Sequence, residues 1–155
     1  MFALNYLKFL GRGEAREAFM TRNPGGYPRA LWINANLKMT DKGYIRQRQL
    51  RYYLTVPSFF GSTMQAAINL DPKTTNAQTL HRQLRQTGIT HFLLPRLQDA
   101  MAGYEAPLNI LDQRVCLVLL KRFKFQSLYS RTLSTLFPVR KFLDVLKLKD
   151  ENCLL

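Results

Sequence analysis

The chain has 155 residues, of which 46% are hydrophobic and 21% charged, so it excludes a disordered segment and fits one globular domain with a sizeable core. Lys and Arg total 23 against 10 Asp and Glu, a formal charge of +13. That excess points to an anionic partner (nucleic acid, phosphate groups or a membrane surface) without choosing among them.

The chain opens on "MFALNYLKFL", with one charge in ten residues. It lacks a basic start and a small-residue cleavage site, so it does not read as a signal peptide. Residues 1–12 read either as the stub of a membrane helix or as a short amphipathic segment packed on the domain. No apolar stretch reaches the roughly 20 residues that a membrane span requires. Residues 13–23 are helical in composition, and "NPGG" at 23–26 breaks them. A second helix is predicted over 27–37, with Pro28 in its first turn and Trp32 on an apolar face with Ala30, Leu31 and Ile33. Strands are predicted over 44–50 and 55–60. Between 71 and 88 lie a loop and a clear helix, with Thr75 or Asn76 as cap, Leu80 and Leu84 on the inner face and Gly88 as the stop. A third strand is predicted over 89–94.

Residues 108–123 are apolar at Ile110, Leu111, Val115, Val118 and Leu119, which fits a buried helix. "FQSLYS" (125–130) and "TLSTLFPV" (132–139) flank Arg131 and read as a closing hairpin. In 139–149, Val139, Phe142, Leu143 and Leu146 share one helical side, which predicts an amphipathic helix. Arg140, Lys141, Lys147 and Lys149 surround that side, so the 140–155 tail is expected either on anionic lipid or docked on the domain's own sheet. Strands alternating with helices imply a three-layer α/β domain over 13–139, with a mostly parallel sheet, helices on both faces and a C-terminal antiparallel hairpin.

Signatures of phosphate-binding and hydrolytic chemistry are missing: no GxGxxG, no GxxxxGK[ST], no GxSxG. Asp41, Asp71, Asp99, Glu105 and Asp112 fall in or beside turns and helix starts, where capping accounts for them. No catalytic residue and no cofactor are expected. His91 begins the third strand with no partner at useful spacing, and is read as structural. Cys116 lies in an apolar run and is read as a buried small hydrophobe, while Cys153 is in the tail. Two thiols in such different settings do not read as a disulfide framework. With no CxxC, and His81 and His91 far from both, no metal site is expected. The segment "IRQRQLRYYL" (45–54) interleaves Arg46, Arg48 and Arg51 with Tyr52 and Tyr53, residue types that grip phosphate and stack bases. Alternation would set Arg46 and Arg48 on one strand face with Tyr44. The plainer reading is a solvated edge with Tyr52 and Tyr53 starting a core helix.

The order of segments resembles the soluble C-terminal domain that follows the last membrane helix in bacterial polytopic glycosyltransferases of the dolichyl-phosphate-mannose–protein mannosyltransferase type (glycosyltransferase family 39, with the related lipid A aminoarabinose transferases). The resemblance covers roughly residues 13–139. It rests on Tyr27, Trp32, Ile33, Asn34 and Leu37 in the pattern Y-x-x-x-x-W-[IL]-N-x-x-L. It rests also on Tyr52-Tyr53-Leu54, and on Leu84, Arg85, Gly88, Ile89, Thr90, His91, Leu93 and Leu94 in LRxxGITHxLL. The chain departs from it at Gln47–Leu50, where the family often has a Gly-acid-x-Arg run, and at Pro95, where Asn is common. The resemblance implies a non-catalytic, extracytoplasmic accessory domain whose partners are the membrane part of the parent transferase and an anionic lipid surface or a polyprenyl phosphate. The sugar transfer itself would belong to the membrane part. Charge alone also fits a cytoplasmic, small basic nucleic-acid-binding α/β protein, and a small independent α/β enzyme is a third possibility.

Overall fold

The computed structural model describes residues 26–71, 73–97, 103–124 and 141–150, together with Ala18 and Cys153. The expected stub at 1–12 and both hairpin arms, 125–130 and 132–139, lie outside the described residues. In chain order come α1 (Tyr27–Asn36), β1 (Gly43–Ile45), the single turn α2 (Arg48–Arg51), β2 (Ser58–Phe60) and α3 (Ala77–Gln86). Then follow β3 (His91–Leu97), a 3-10 segment (Gly103–Leu108) running into α4 (Asn109–Gln113), β4 (Leu117–Lys124) and β5 (Lys141–Leu148). The five strands make one mixed sheet in the order β2-β1-β3-β5-β4. As expected, the first three strands are parallel. β5 inserts antiparallel between β3 and β4.

Local chemistry sets most of these boundaries. Pro28 sits in the first turn of α1, where its missing N–H costs nothing. The Asn76 side chain caps α3 by accepting from Thr79 N–H at 2.8 Å. Gly88 then takes φ +75°, and the N–H groups of Gly88 and Ile89 bond the carbonyls of Arg85 and Leu84. This is a Schellman stop, and Leu84 and Ile89, both fully buried, supply its apolar contact.

Burial divides into two clusters, and neighbours on one strand fall in different ones. Tyr44, Phe92, Leu94 and Leu146 pack with Leu80 and Leu84 of α3 and with Leu108 and Leu111. Ile45, Leu93, Leu143 and Val145 pack with Ala30 and Ile33 of α1 and with Leu50 of α2. At roughly 25 cal/mol per Å² of apolar surface, each fully buried leucine contributes on the order of 2 kcal/mol.

The C-terminal half departs from the sequence reading. The helix expected over 108–123 is α4 followed by β4. α4 ends at Gln113 with Arg114 as its C-cap, and Val115 takes φ +57°, uncommon for a β-branched residue. The helix expected over 139–149 is strand β5, which lies between two other strands and is buried from Leu143 to Leu146. An apolar run buried on both faces carries no clean period, so a helical stripe in it is accidental. The 140–155 stretch, expected as a tail, therefore supplies β5 and Cys153 to the domain. Cys116 and Cys153 form a disulfide across 37 positions, contrary to the expectation of two unrelated thiols. Sequence distance had hidden the fact that β5 turns the tail back to the start of β4, where Lys149 N–H bonds Cys116 O.

Candidate functional site

The side chains with the most chemistry gather at the two opposite ends of the parallel strands. At the carboxyl end, β1 and β3 are neighbours, but their chains leave toward different core clusters. The first goes toward Leu50, the second toward Leu108. Ligands of open α/β sheets bind outside the carboxyl ends at such a divergence. Arg46, just after β1, and Glu105, after β3, meet there. Arg46 donates from Nη1 to Gly61 O at 2.7 Å, and its Nε lies 3.1 Å from Glu105 Oε1 without hydrogen-bond alignment. Glu105 is 7% exposed, and burial pushes its carboxyl above the usual range, with Arg46 opposing the shift. In the sequence Glu105 reads as a turn acid, and nothing near it in the chain signals the pairing.

The structure disperses the Arg/Tyr segment that the sequence singled out. β1 ends at Ile45, so Arg46 and Arg48 do not share a strand face with Tyr44, which is fully buried. Arg48 lies over the Phe60 ring at 5.6 Å. Arg51 and Tyr52 are exposed, and Tyr53 meets Tyr27 edge-on at 5.5 Å. What holds the segment is Asn34. Its amide donates to Tyr53 O at 2.8 Å and accepts from Thr55 N–H at 2.9 Å, clasping the chain on either side of Leu54.

At the amino end, two helix-to-strand joints lie side by side. The first is Gly88–His91. The Thr90 hydroxyl accepts from Lys42 N–H at 3.0 Å and lies 2.9 Å from His91 Nδ1, so its proton is free to point at the ring. Asp41 Oδ1 is 3.8 Å from the same nitrogen. His91 is 4% exposed, and burial pulls its pKa down, with Asp41 opposing and Lys147 reinforcing the shift. His91 is thereby held, buried, against the Thr90 hydroxyl at the start of β3. The Lys42 ammonium caps α3 by donating to Thr87 O at 2.9 Å. The second joint is Val115–Cys116, locked to Cys153. The end of β5 bridges the two: Leu148 N–H bonds Thr90 O and Lys149 N–H bonds Cys116 O. His81 adds a tie from α3, with Nε2 at 2.9 Å from Lys149 O.

Between the joints is a cleft of about 750 Å³, lined by Asp41, Arg85, Thr90, Val118, Lys147, Leu148, Lys149, Asp150 and Cys153. Two of the four cations predicted to face a membrane, Lys147 and Lys149, are brought together here, though on a strand end and not a helix. Lys141 begins β5, and Arg140 lies outside the described residues. Among the described residues no group of His, Cys, Asp and Glu is arranged to hold a metal ion, and no helix is long and apolar enough to cross a membrane. Compared with known families, curated proteins and solved structures, the chain matches none.

Proposed function

We propose that this chain is an extracytoplasmic accessory domain of a membrane glycosyltransferase that uses a polyprenyl-phosphate sugar donor. In this reading it assists acceptor or lipid-phosphate binding at the membrane surface, while its membrane partner carries out transfer. The observation that carries the reading is the Cys116–Cys153 disulfide, because such bridges persist in oxidising compartments and are rare in the cytosol. A structural bridge of this kind is rare in the cytoplasm, where the nucleic-acid-binding rival would work. Two further features agree. The motif residues behind the resemblance interlock, Asn34 clasping the Tyr52-Tyr53-Leu54 segment and Thr90 tying β3 to Lys42. The division of the core into two clusters, one with α3 and one with α1, supports a three-layer arrangement with helices on both faces.

Fractionation of the source cells with an antibody to this chain tests the reading. The antigen is expected in the membrane fraction, open to protease from outside the cytoplasmic membrane, in material that releases polyprenyl phosphate from a polyprenyl-phosphate sugar. The isolated chain is expected to release none. Antigen in the cytosol, bound to nucleic acid in a salt-sensitive way, would reject the reading for its rival.

A further inference from the structure

We infer that the cleft between the two joints binds a phosphate monoester carried on an apolar chain, its head at Lys147 and Lys149 and its chain along the outer edge of β4. This deepens the reading above, in which the domain works beside a lipid phosphate, and it assigns the site. Three observations carry it. The cleft is large enough for a headgroup, and Thr90 lies on its wall. Its charges do not cancel. Asp150 pairs with Arg85 at 3.4 Å, which leaves Lys147 and Lys149 against the single carboxylate of Asp41. Lys147 and Lys149 are exposed and make no ion pair among the described residues, so they leave a net positive charge at the mouth.

The third observation is aliphatic. Val118 lines the cleft and is the cross-strand neighbour of Lys147. It begins three consecutive exposed aliphatic residues, Val118, Leu119 and Leu120, the last two 47% and 41% exposed. They lie on the outermost strand of the sheet among the described residues, where the ladder with β5 shifts register between Leu119 and Lys121. Exposed aliphatics in a row on a sheet edge mark a contact surface. Lys121 and Lys124 follow on the same strand and are exposed, which opposes pairing with a second copy of so basic a chain. A cationic cleft opening onto an aliphatic edge is the complement of an amphiphile with an anionic head.

Calorimetric titration of the whole chain with dodecyl phosphate, below its micelle concentration, tests the assignment. One ligand is expected to bind per chain, more tightly than inorganic phosphate or dodecanol. Replacing both lysines, Lys147→Gln with Lys149→Gln, is expected to weaken it about tenfold. Val118→Ser with Leu119→Ser should weaken dodecyl phosphate but not inorganic phosphate, and Lys73→Gln, on an exposed loop, should change neither. Should the double serine variant fail to fold, Leu120→Ser alone is expected to act in the same direction. The assignment is overturned if dodecyl phosphate does not bind or if the lysine pair leaves its affinity unchanged. It is overturned equally if inorganic phosphate binds as tightly, or if phosphatidylglycerol vesicles capture the lysine variant as well as the parent chain. None of these outcomes touches the cell-fractionation test, so the site and the wider reading can fail separately.

Discussion

The joint from α3 to β3 and the joint from α4 to β4 solve one problem with different residues. Each must stop a helix and turn the chain into a strand beside β5. Each uses the same pair of backbone bonds: Gly88 N–H to Arg85 O with Ile89 N–H to Leu84 O, and Val115 N–H to Asp112 O with Cys116 N–H to Leu111 O. The left-handed residue is glycine at the first joint and valine at the second, with φ +75° and +57°. Glycine takes that conformation without steric conflict, whereas valine is strained in it. The first joint is secured by hydrogen bonds, through Thr90 and Lys42. The second is secured covalently, since the residue after Val115 is Cys116, bonded to Cys153. A strained turn is tolerated where the structure around it over-determines the conformation.

The largest expected effect comes from cutting the covalent tie. Cys153→Ser is expected to lose about 4 kcal/mol, the chain-entropy value for a loop of 37 positions, read as a lower urea midpoint that reductant imposes equally on the parent chain. Next comes the brace of the same antiparallel half. Arg122 binds Asp144 through Nε and Nη2 at 2.8 and 2.9 Å, and Asp144 is fully buried. Arg122→Ala removes both of these bonds to the buried carboxylate and is expected to cost about 3 kcal/mol in chemical denaturation. The joints themselves should respond with opposite signs. Gly88→Ala meets only ordinary contact with Lys42, so its cost of about 1 kcal/mol is that of the backbone conformation. Val115→Gly relieves the same strain at an exposed position and is expected to stabilise by up to about 1 kcal/mol; a loss instead would show that the second joint is not strained. The smallest effect is that of His91. Burial lowers its folded pKa below the usual 6.5, so the unfolded chain binds the proton more readily. Stability should fall as pH drops through 6.5 toward the folded value, with no contribution from this group above that range. His91→Gln is expected to flatten that limb in pH-dependent urea unfolding.

The contrast between the joints also explains what the sequence could and could not tell. Gly88 announced its stop, and with Asn76, Leu80 and Leu84 it made α3 readable end to end. Val115 announced nothing. A β-branched residue in an apolar run does not look like a break, so α4 and β4 merged into one expected helix. β5 failed for a related reason: buried on both faces, it offers an apolar run in which Phe142, Leu143 and Leu146 fit a helical period by chance. Of the candidate site, Lys147 and Lys149 were noticed for their charge, but their place on a cleft wall depends on strand order. The Arg46–Glu105 pair and the disulfide join positions that only the fold brings together.

The proposal that this chain works in an oxidising compartment rests on the disulfide of the antiparallel half. Thiol trapping in the source cells tests it most directly. The cells are quenched with a small membrane-permeant alkylating reagent, and the chain is then denatured, reduced and labelled a second time. The account predicts that Cys116 and Cys153 escape the first reagent and take the second in every molecule. Labelling of both cysteines by the first reagent, with the chain folded, would contradict it.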